Sequence, residues 1–211
     1  MTITRDSILE WIKAFATMIH AQKDYLTELD SAIGDADHGE NMDRGMQAVL
    51  LKLPGVVDKD IGAILKTVAM TLISTVGGAS GPLYGTLFLE MAKPTTGKTE
   101  LTLDEWVVAV EGGINGVLIR GKAQIGDKTM VDALNPALTA LKAAAANNIP
   151  LKTALQNAAE AARLGRDSVT PLVARKGRAS YLGERSANHQ DPGATSTHFL
   201  LKSAADTLAA P

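Results

Sequence analysis

Apolar side chains along this chain return every three or four residues, a spacing that lays them on one face of a helix. Ile8, Trp11, Ile12, Phe15, Met18 and Ile19 form the first such stripe, and with Thr4 or Ser7 as its cap it predicts a helix to about Leu29. A second helix is predicted from about Glu40 to Leu53, closed by Pro54-Gly55. A third starts near Asp60, with Ile61, Ile64, Leu65, Val68 and Leu72 on one face, and Gly77-Gly78 breaks it. The fourth spans Leu83 to Ala92, and Thr102 followed by Glu105 reads as a capping box for a fifth that ends near Arg120. Met130 to Ala146 and Leu151 to Leu164 make the sixth and seventh, with Pro136 either kinking the former or marking its first turn. Asp191-Pro192, a cap followed by proline at the first helical position, opens a last helix through Leu208. No segment reads as a strand. The prediction is an all-α protein, an antiparallel bundle or closed barrel of about eight helices.

Composition supports this and narrows the function. Aromatic residues make up only 4% of the chain. With 45% hydrophobic side chains, its 211 residues hold enough apolar positions for one core and few for two, so 1–211 is expected to be a single domain. Lys+Arg 21 against Asp+Glu 23 leaves a net charge of -2, without the basic surplus that draws proteins to nucleic acid or anionic lipid. The absence of cysteine excludes disulfides, thiol catalysis, iron-sulfur clusters and thiolate zinc sites, so a bound metal is expected on oxygen ligands. Arg5, Asp6, Glu10, Lys13, Lys23 and Asp24 interrupt the first thirty residues, unlike a signal peptide. Charges also interrupt the richest apolar stretch, Ile61 to Met91, so a cytoplasmic protein with no membrane contact is expected.

Three loops, Asp30 to Asn41, Val76 to Tyr84 and Lys176 to Ala194, are too rich in glycine and polar side chains to be plain connections. In the first, Asp30, Asp35 and Asp37 stand at offsets of five and two, which cannot share a helical face. They converge only if the chain turns at Gly34 and Gly39, and three converging carboxylates call for a divalent cation. The plainer alternative is that Asp35 or Asp37 caps the second helix. An EF-hand is excluded because Met46 stands at the twelfth position from Asp35. Magnesium commonly binds through carboxylates together with substrate phosphates, so a nucleotide becomes the natural ligand.

The second loop, Gly77-Gly78-Ala79-Ser80-Gly81-Pro82, offers unobstructed backbone amides before a helix, suited to phosphate or to close helix packing. Gly97-Lys98-Thr99 resembles the end of a P-loop, but Ala92 stands where its first glycine belongs. The third loop holds Arg175, Lys176, Arg178 and Arg185, able to neutralise a polyphosphate or simply to be solvated. Asp191-Pro192-Gly193-Ala194 can present amides to a nucleotide, cap the last helix, or both, and Met130 can pack on adenine or enter the core. Among the histidines, His20 and His198 read as structural. His38 reads as positioning a ligand rather than as a phosphate-accepting nucleophile, and His189 is undecided.

Taken together, Asp30-x4-Asp35-x-Asp37-His38-Gly39-x-Asn41-Met42, the run Gly77 to Gly85, and Gly177-Arg178-Ala179-Ser180-Tyr181-Leu182-Gly183-Glu184-Arg185-Ser186 resemble the nucleotide-binding domain of dihydroxyacetone kinases. In length the chain resembles the separate L-type nucleotide-binding subunits of bacterial members fed by the phosphotransferase system. The resemblance implies an eight-helix antiparallel barrel with ADP or ATP at one end and two magnesium ions on Asp30, Asp35 and Asp37. It implies nucleotide contacts at His38, Asn41, Met42, Ala79, Ser80, Met130, Arg178, Asp191 and Gly193, with Arg178 also serving the transfer itself. It further implies that bound ADP is rephosphorylated in place by a phosphohistidine-bearing partner subunit, then passes the phosphoryl group to dihydroxyacetone on another subunit. Single-chain ATP-dependent relatives share these motifs, and others act as regulatory modules that bind a transcription regulator, so both stand as alternatives.

Overall fold

The computed structural model describes residues 2–209. Thr4 opens α1 (Arg5–Ala21) with a reciprocal cap: its Oγ1 accepts from the Ser7 amide and Ser7 Oγ accepts from the Thr4 amide. The helix expected to reach Leu29 instead breaks at Gln22, where φ is -107° and ψ 12°, and α2 (Lys23–Ile33) continues in its place. There follow α3 (His38–Lys52), a 3-10 turn at Leu53–Gly55, α4 (Ile61–Thr75), α5 (Ser80–Ala92), α6 (Leu103–Gly121), α7 (Met130–Ala146), α8 (Leu151–Ser168), a 3-10 segment at Arg178–Ser186 and α9 (Pro192–Thr207).

Most boundaries match the sequence pattern, and the departures have local causes. α5 begins three residues earlier than expected, because Pro82 falls in the first turn, where its missing amide has no partner to lose. Pro136 lies inside α7. The carbonyl of Asp132 that it leaves free meets Gly165 of α8, where a Cβ would lie 2.1 Å from that oxygen. Contrary to the expectation of no strand, Ile3–Thr4 (β1) pairs antiparallel with Glu100–Leu101 (β2), Ile3 opposite Leu101. Two residues per strand are too few to show an alternating pattern.

From α3 to α9 each helix packs on the next, and both α1 and α2 lie between α9 and α3. The broken pair thus acts as one stave, and the nine α-helices among the described residues give the expected eight-stave antiparallel barrel. Its interior is filled rather than hollow. Trp11 stands edge-on to Trp106 with ring centres 5.3 Å apart and 5.7 Å from Phe88, and its Nε1 donates to Leu200 O at 3.0 Å. A satellite cluster of Ile33, Ala174 and Ala179, with Leu182 against it, lies apart from this core beneath the 3-10 segment. Among the described residues no helix is long and apolar enough to cross a membrane.

Alternation of direction around the ring brings the first turns of α3, α5, α7 and α9 to one end, beside the last turns of α2 and α6. They surround a cleft of about 400 Å³. Four helix N-termini at one opening give it the positive potential that favours an anion.

Candidate functional site

The acidic loop begins on the last turn of α2. Asp30 is buried, and its Oδ2 accepts the amides of Asp37 at 2.8 Å and His38 at 3.1 Å. It thereby caps α3 from the neighbouring helix, which Asp37 at the cap position does not do with its own side chain. This accounts for Gly34: a Cβ there would lie 2.0 Å from Asp30 Oδ1. The turn continues through Ala36, held at φ 61°. One carboxylate oxygen from each of Asp30, Asp35 and Asp37 lies within 4.8 Å of the others, so the expected convergence is present. Like charges at that spacing repel by roughly 1 kcal/mol per pair in water and by several at a protein surface. Arg178 Nη2, 2.8 Å from Asp35 Oδ2, offsets part of this. The set is made of oxygen alone and faces a positive cleft, which fits a hard divalent cation carrying a phosphate.

Behind the loop lies a buried polar network. His38 Nε2 is 2.9 Å from Ser196 Oγ and its Nδ1 is 3.1 Å from Ser80 Oγ. Tyr84 OH is 2.7 Å from Ser196 Oγ and 3.1 Å from Thr197 Oγ1, while its ring lies 6.3 Å from that of Phe15 in the core. The network therefore locks the starts of α3, α5 and α9 to one another. Burial pushes the imidazole of His38 down to about 4, against the pull of Asp30 and Asp37, so at neutral pH it is uncharged. Burial likewise raises the Tyr84 hydroxyl to about 12. With both ring nitrogens engaged, His38 is a positioning group, and nothing in its geometry suits a nucleophile.

Opposite the carboxylates, Ala79 and Ser80 present the uncapped start of α5. Asn41 lies against Gly77 and accepts from Arg44 at Oδ1, which orients its amide. Met130 opens α7; it is 5% exposed, so it both lines the cleft and enters the core. Asp191 accepts the Ala194 amide at 2.6 Å, capping α9, and with Gly193 also faces the cleft. Burial, and more weakly Asp132 and Asp30, push its carboxyl up to about 7 against the opposing effects of the Ala194 amide and Lys128.

Of the residues expected from sequence to contact a nucleotide, all but Met42 line the cleft. Met42 lies one turn below His38 on the same face of α3, buried in the core with Met46 and Val49. The unanticipated participants are Tyr84, Ser196, Thr197 and Lys128. The run Thr195-Ser196-Thr197, three fully buried hydroxyls at the start of a helix, was a legible signal for the network. Of the remaining histidines, His20 Nδ1 lies 3.1 Å from Asp43, His198 accepts from Arg166, and His189 is exposed.

Comparison with known proteins agrees with the fold. The DAK2 domain model matches residues 32–206. The "PEP-dependent dihydroxyacetone kinase, ADP-binding subunit DhaL" of Escherichia coli (strain K12) is 48% identical over 202 residues, which cover 96% of each chain. The "PTS-dependent dihydroxyacetone kinase, ADP-binding subunit DhaL" of Lactococcus lactis is 42% identical over 98% of this chain and 100% of that one. The dihydroxyacetone kinase of C. freundii, solved in complex with AMP-PNP and Mg2+, shares the fold with a TM-score of 0.70 at 24% identity, over 94% of this chain and 33% of the other. A matching model over most of the sequence and relatives aligned end to end make this chain a member of the DAK2 domain family.

Proposed function

We propose that this chain is the ADP-binding subunit of a phosphoenolpyruvate-dependent dihydroxyacetone kinase, folded as one nucleotide-binding unit and working in the cytoplasm. The observation that carries the reading is the meeting of three carboxylates with four helix N-termini at one cleft. Identity of 48% and 42% with subunits of that name favours this reading over a direct ATP-dependent kinase.

In this reading Asp30, Asp35 and Asp37 hold two magnesium ions, which neutralise charge on the nucleotide's phosphates. The amides at Ala79 and Ser80 and the guanidinium of Arg178 fix the phosphate oxygens in line between donor and acceptor. His38, uncharged and bonded on both sides, holds Ser80 and Ser196 in register, and Asn41 borders the same phosphates. Met130, Asp191 and Gly193 form the wall on which the nucleoside rests. The phosphoryl group arrives from a phosphohistidine on one partner subunit and leaves to dihydroxyacetone on another, giving dihydroxyacetone phosphate. The chain supplies positioning and charge, and the acceptor's base belongs to the partner.

Mass spectrometry of the denatured protein should release ADP or ATP. Mixed with the sugar-binding and phosphohistidine subunits, the protein should support transfer from phosphoenolpyruvate to dihydroxyacetone. Transfer that needs free ATP and no phosphohistidine partner would point to a direct kinase, and binding to a transcription regulator with no transfer would point to a regulatory module.

A further inference from the structure

The chain between Thr170 and Ser186 brings Lys176, Gly177, Arg178 and Ala179 into the lining of the cleft. Its apolar support is the small cluster around Ile33, separate from the main core, so little hydrophobic burial holds it down. At its base sits Lys128, only 1% exposed and held at φ 66°. The ammonium donates to Thr170 O at 3.0 Å, Leu172 O at 2.9 Å and Ser186 O at 2.6 Å. All three of its hydrogens go to backbone carbonyls, two on the incoming foot of the segment and one on the outgoing foot. Among the described residues no carboxylate lies within ion-pair distance of it.

A buried cation without a bonded counter-ion is costly, and an apolar side chain would fill the same space more cheaply. What the ammonium adds is a single point that joins both feet. Neighbouring bonds reinforce that point: Asp127 O accepts the Arg175 amide at 3.0 Å, and Ser186 Oγ accepts the Ala174 amide at 2.9 Å. We propose that Lys128 is the latch of this segment, a positioning residue that holds 170–186 against the cleft and so keeps Arg178 in place and slows nucleotide release. The part concerning the nucleotide rests on the function proposed above.

The absence of cysteine from the chain allows a clean test. Lys128→Cys can be alkylated under denaturing conditions with bromoethylamine, which rebuilds a lysine-length ammonium, or with iodopropane, which builds its neutral counterpart. Both are then refolded beside unsubstituted protein treated alike. In nucleotide-free protein, tryptic cleavage between Arg175 and Arg185 should be at least tenfold faster in the propyl form, with the aminoethyl form restored and cleavage elsewhere unchanged. ADP release should accelerate at least tenfold in the propyl form alone.

Equal cleavage in the two forms would overturn the latch, and so would collapse of the whole barrel in the propyl form, read by far-UV circular dichroism. A cleavage difference with no ADP bound by any form would uphold the latch and count against the proposed function instead. In unsubstituted protein, the Ala174 and Arg175 amides should exchange through a shared local opening, with a weaker urea dependence than amides of α7. Their exchange only by global unfolding would also refute the latch.

Discussion

The three aspartates have equal parts in the proposed cation site and unequal parts in the fold, and that difference can be measured. Asp30→Ala removes two charge-assisted bonds, to the Asp37 and His38 amides, at a residue only 8% exposed. Such bonds contribute about 1.5–3 kcal/mol each. Release of the repulsion from Asp35 and Asp37, and partial hydration of the freed amides, offset part of the loss. A net cost of about 2–3 kcal/mol remains, which for a chain of this size lowers Tm by about 5–10 °C. Asp35→Ala removes an ion pair whose side chains are 33% and 66% exposed, worth at most about 1 kcal/mol, and relieves repulsion in return. The Asp37 side chain caps nothing, so its removal should leave stability within about 0.5 kcal/mol. Urea unfolding of metal-free, nucleotide-free protein should therefore single out Asp30→Ala, whereas titration with ADP and magnesium should find all three variants impaired. Equal stability losses in the three, or none at Asp30, would refute the assignment of Asp30 as the cap of α3.

Gly34→Ala drives a methyl group into Asp30 Oδ1 and should lower metal-free stability by about 1–3 kcal/mol while abolishing ADP retention, checked by the same unfolding and binding assays. Arg178→Ala, at an exposed side chain, should leave unfolding within about 0.5 kcal/mol and slow phosphoryl transfer about 10²- to 10³-fold in the reconstituted system, with Arg178→Lys intermediate. His38 is held near 4 in the fold against about 6.5 unfolded, so the unfolded chain binds the extra proton between those values. Its contribution is complete above pH 6.5 and falls away as pH drops to 4, by about 3 kcal/mol in metal-free protein, and His198, also lowered to about 4, has the same sign. Asp191 has the opposite sign, its stabilisation being lost as pH rises toward 7. Asp191→Asn, which keeps the cap, should raise stability at pH 8 and steepen the acid decline, read from urea midpoints between pH 4 and 8.

One helix was legible to the residue at both ends, whereas α8 runs on to Ser168 past the predicted Leu164. Thr129 and Asp132 cap α7 reciprocally, and its span matches the predicted Met130 to Ala146. The break at Gln22 was not legible, because neither glycine nor proline marks it and the apolar stripe carries across. In the site, the offsets of Asp30, Asp35 and Asp37 excluded a shared helical face and so announced the turn that unites them. Met42 shares a face of α3 with His38 but sits one turn deeper, among Met46 and Val49, and depth along a helix is not readable from a motif. Lys128 was opaque for a different reason: its three partners are backbone carbonyls 42 to 58 residues away, and carbonyls carry no residue identity.

The His38 network joins a helix near the beginning of the chain to one that begins at Pro192, and Trp11 reaches across to Leu200. During synthesis, then, the carboxylates emerge from the ribosome long before the hydroxyls that complete their surroundings. A chain synthesised only as far as α8 lacks those hydroxyls, so the cleft takes its full shape only once α9 has docked.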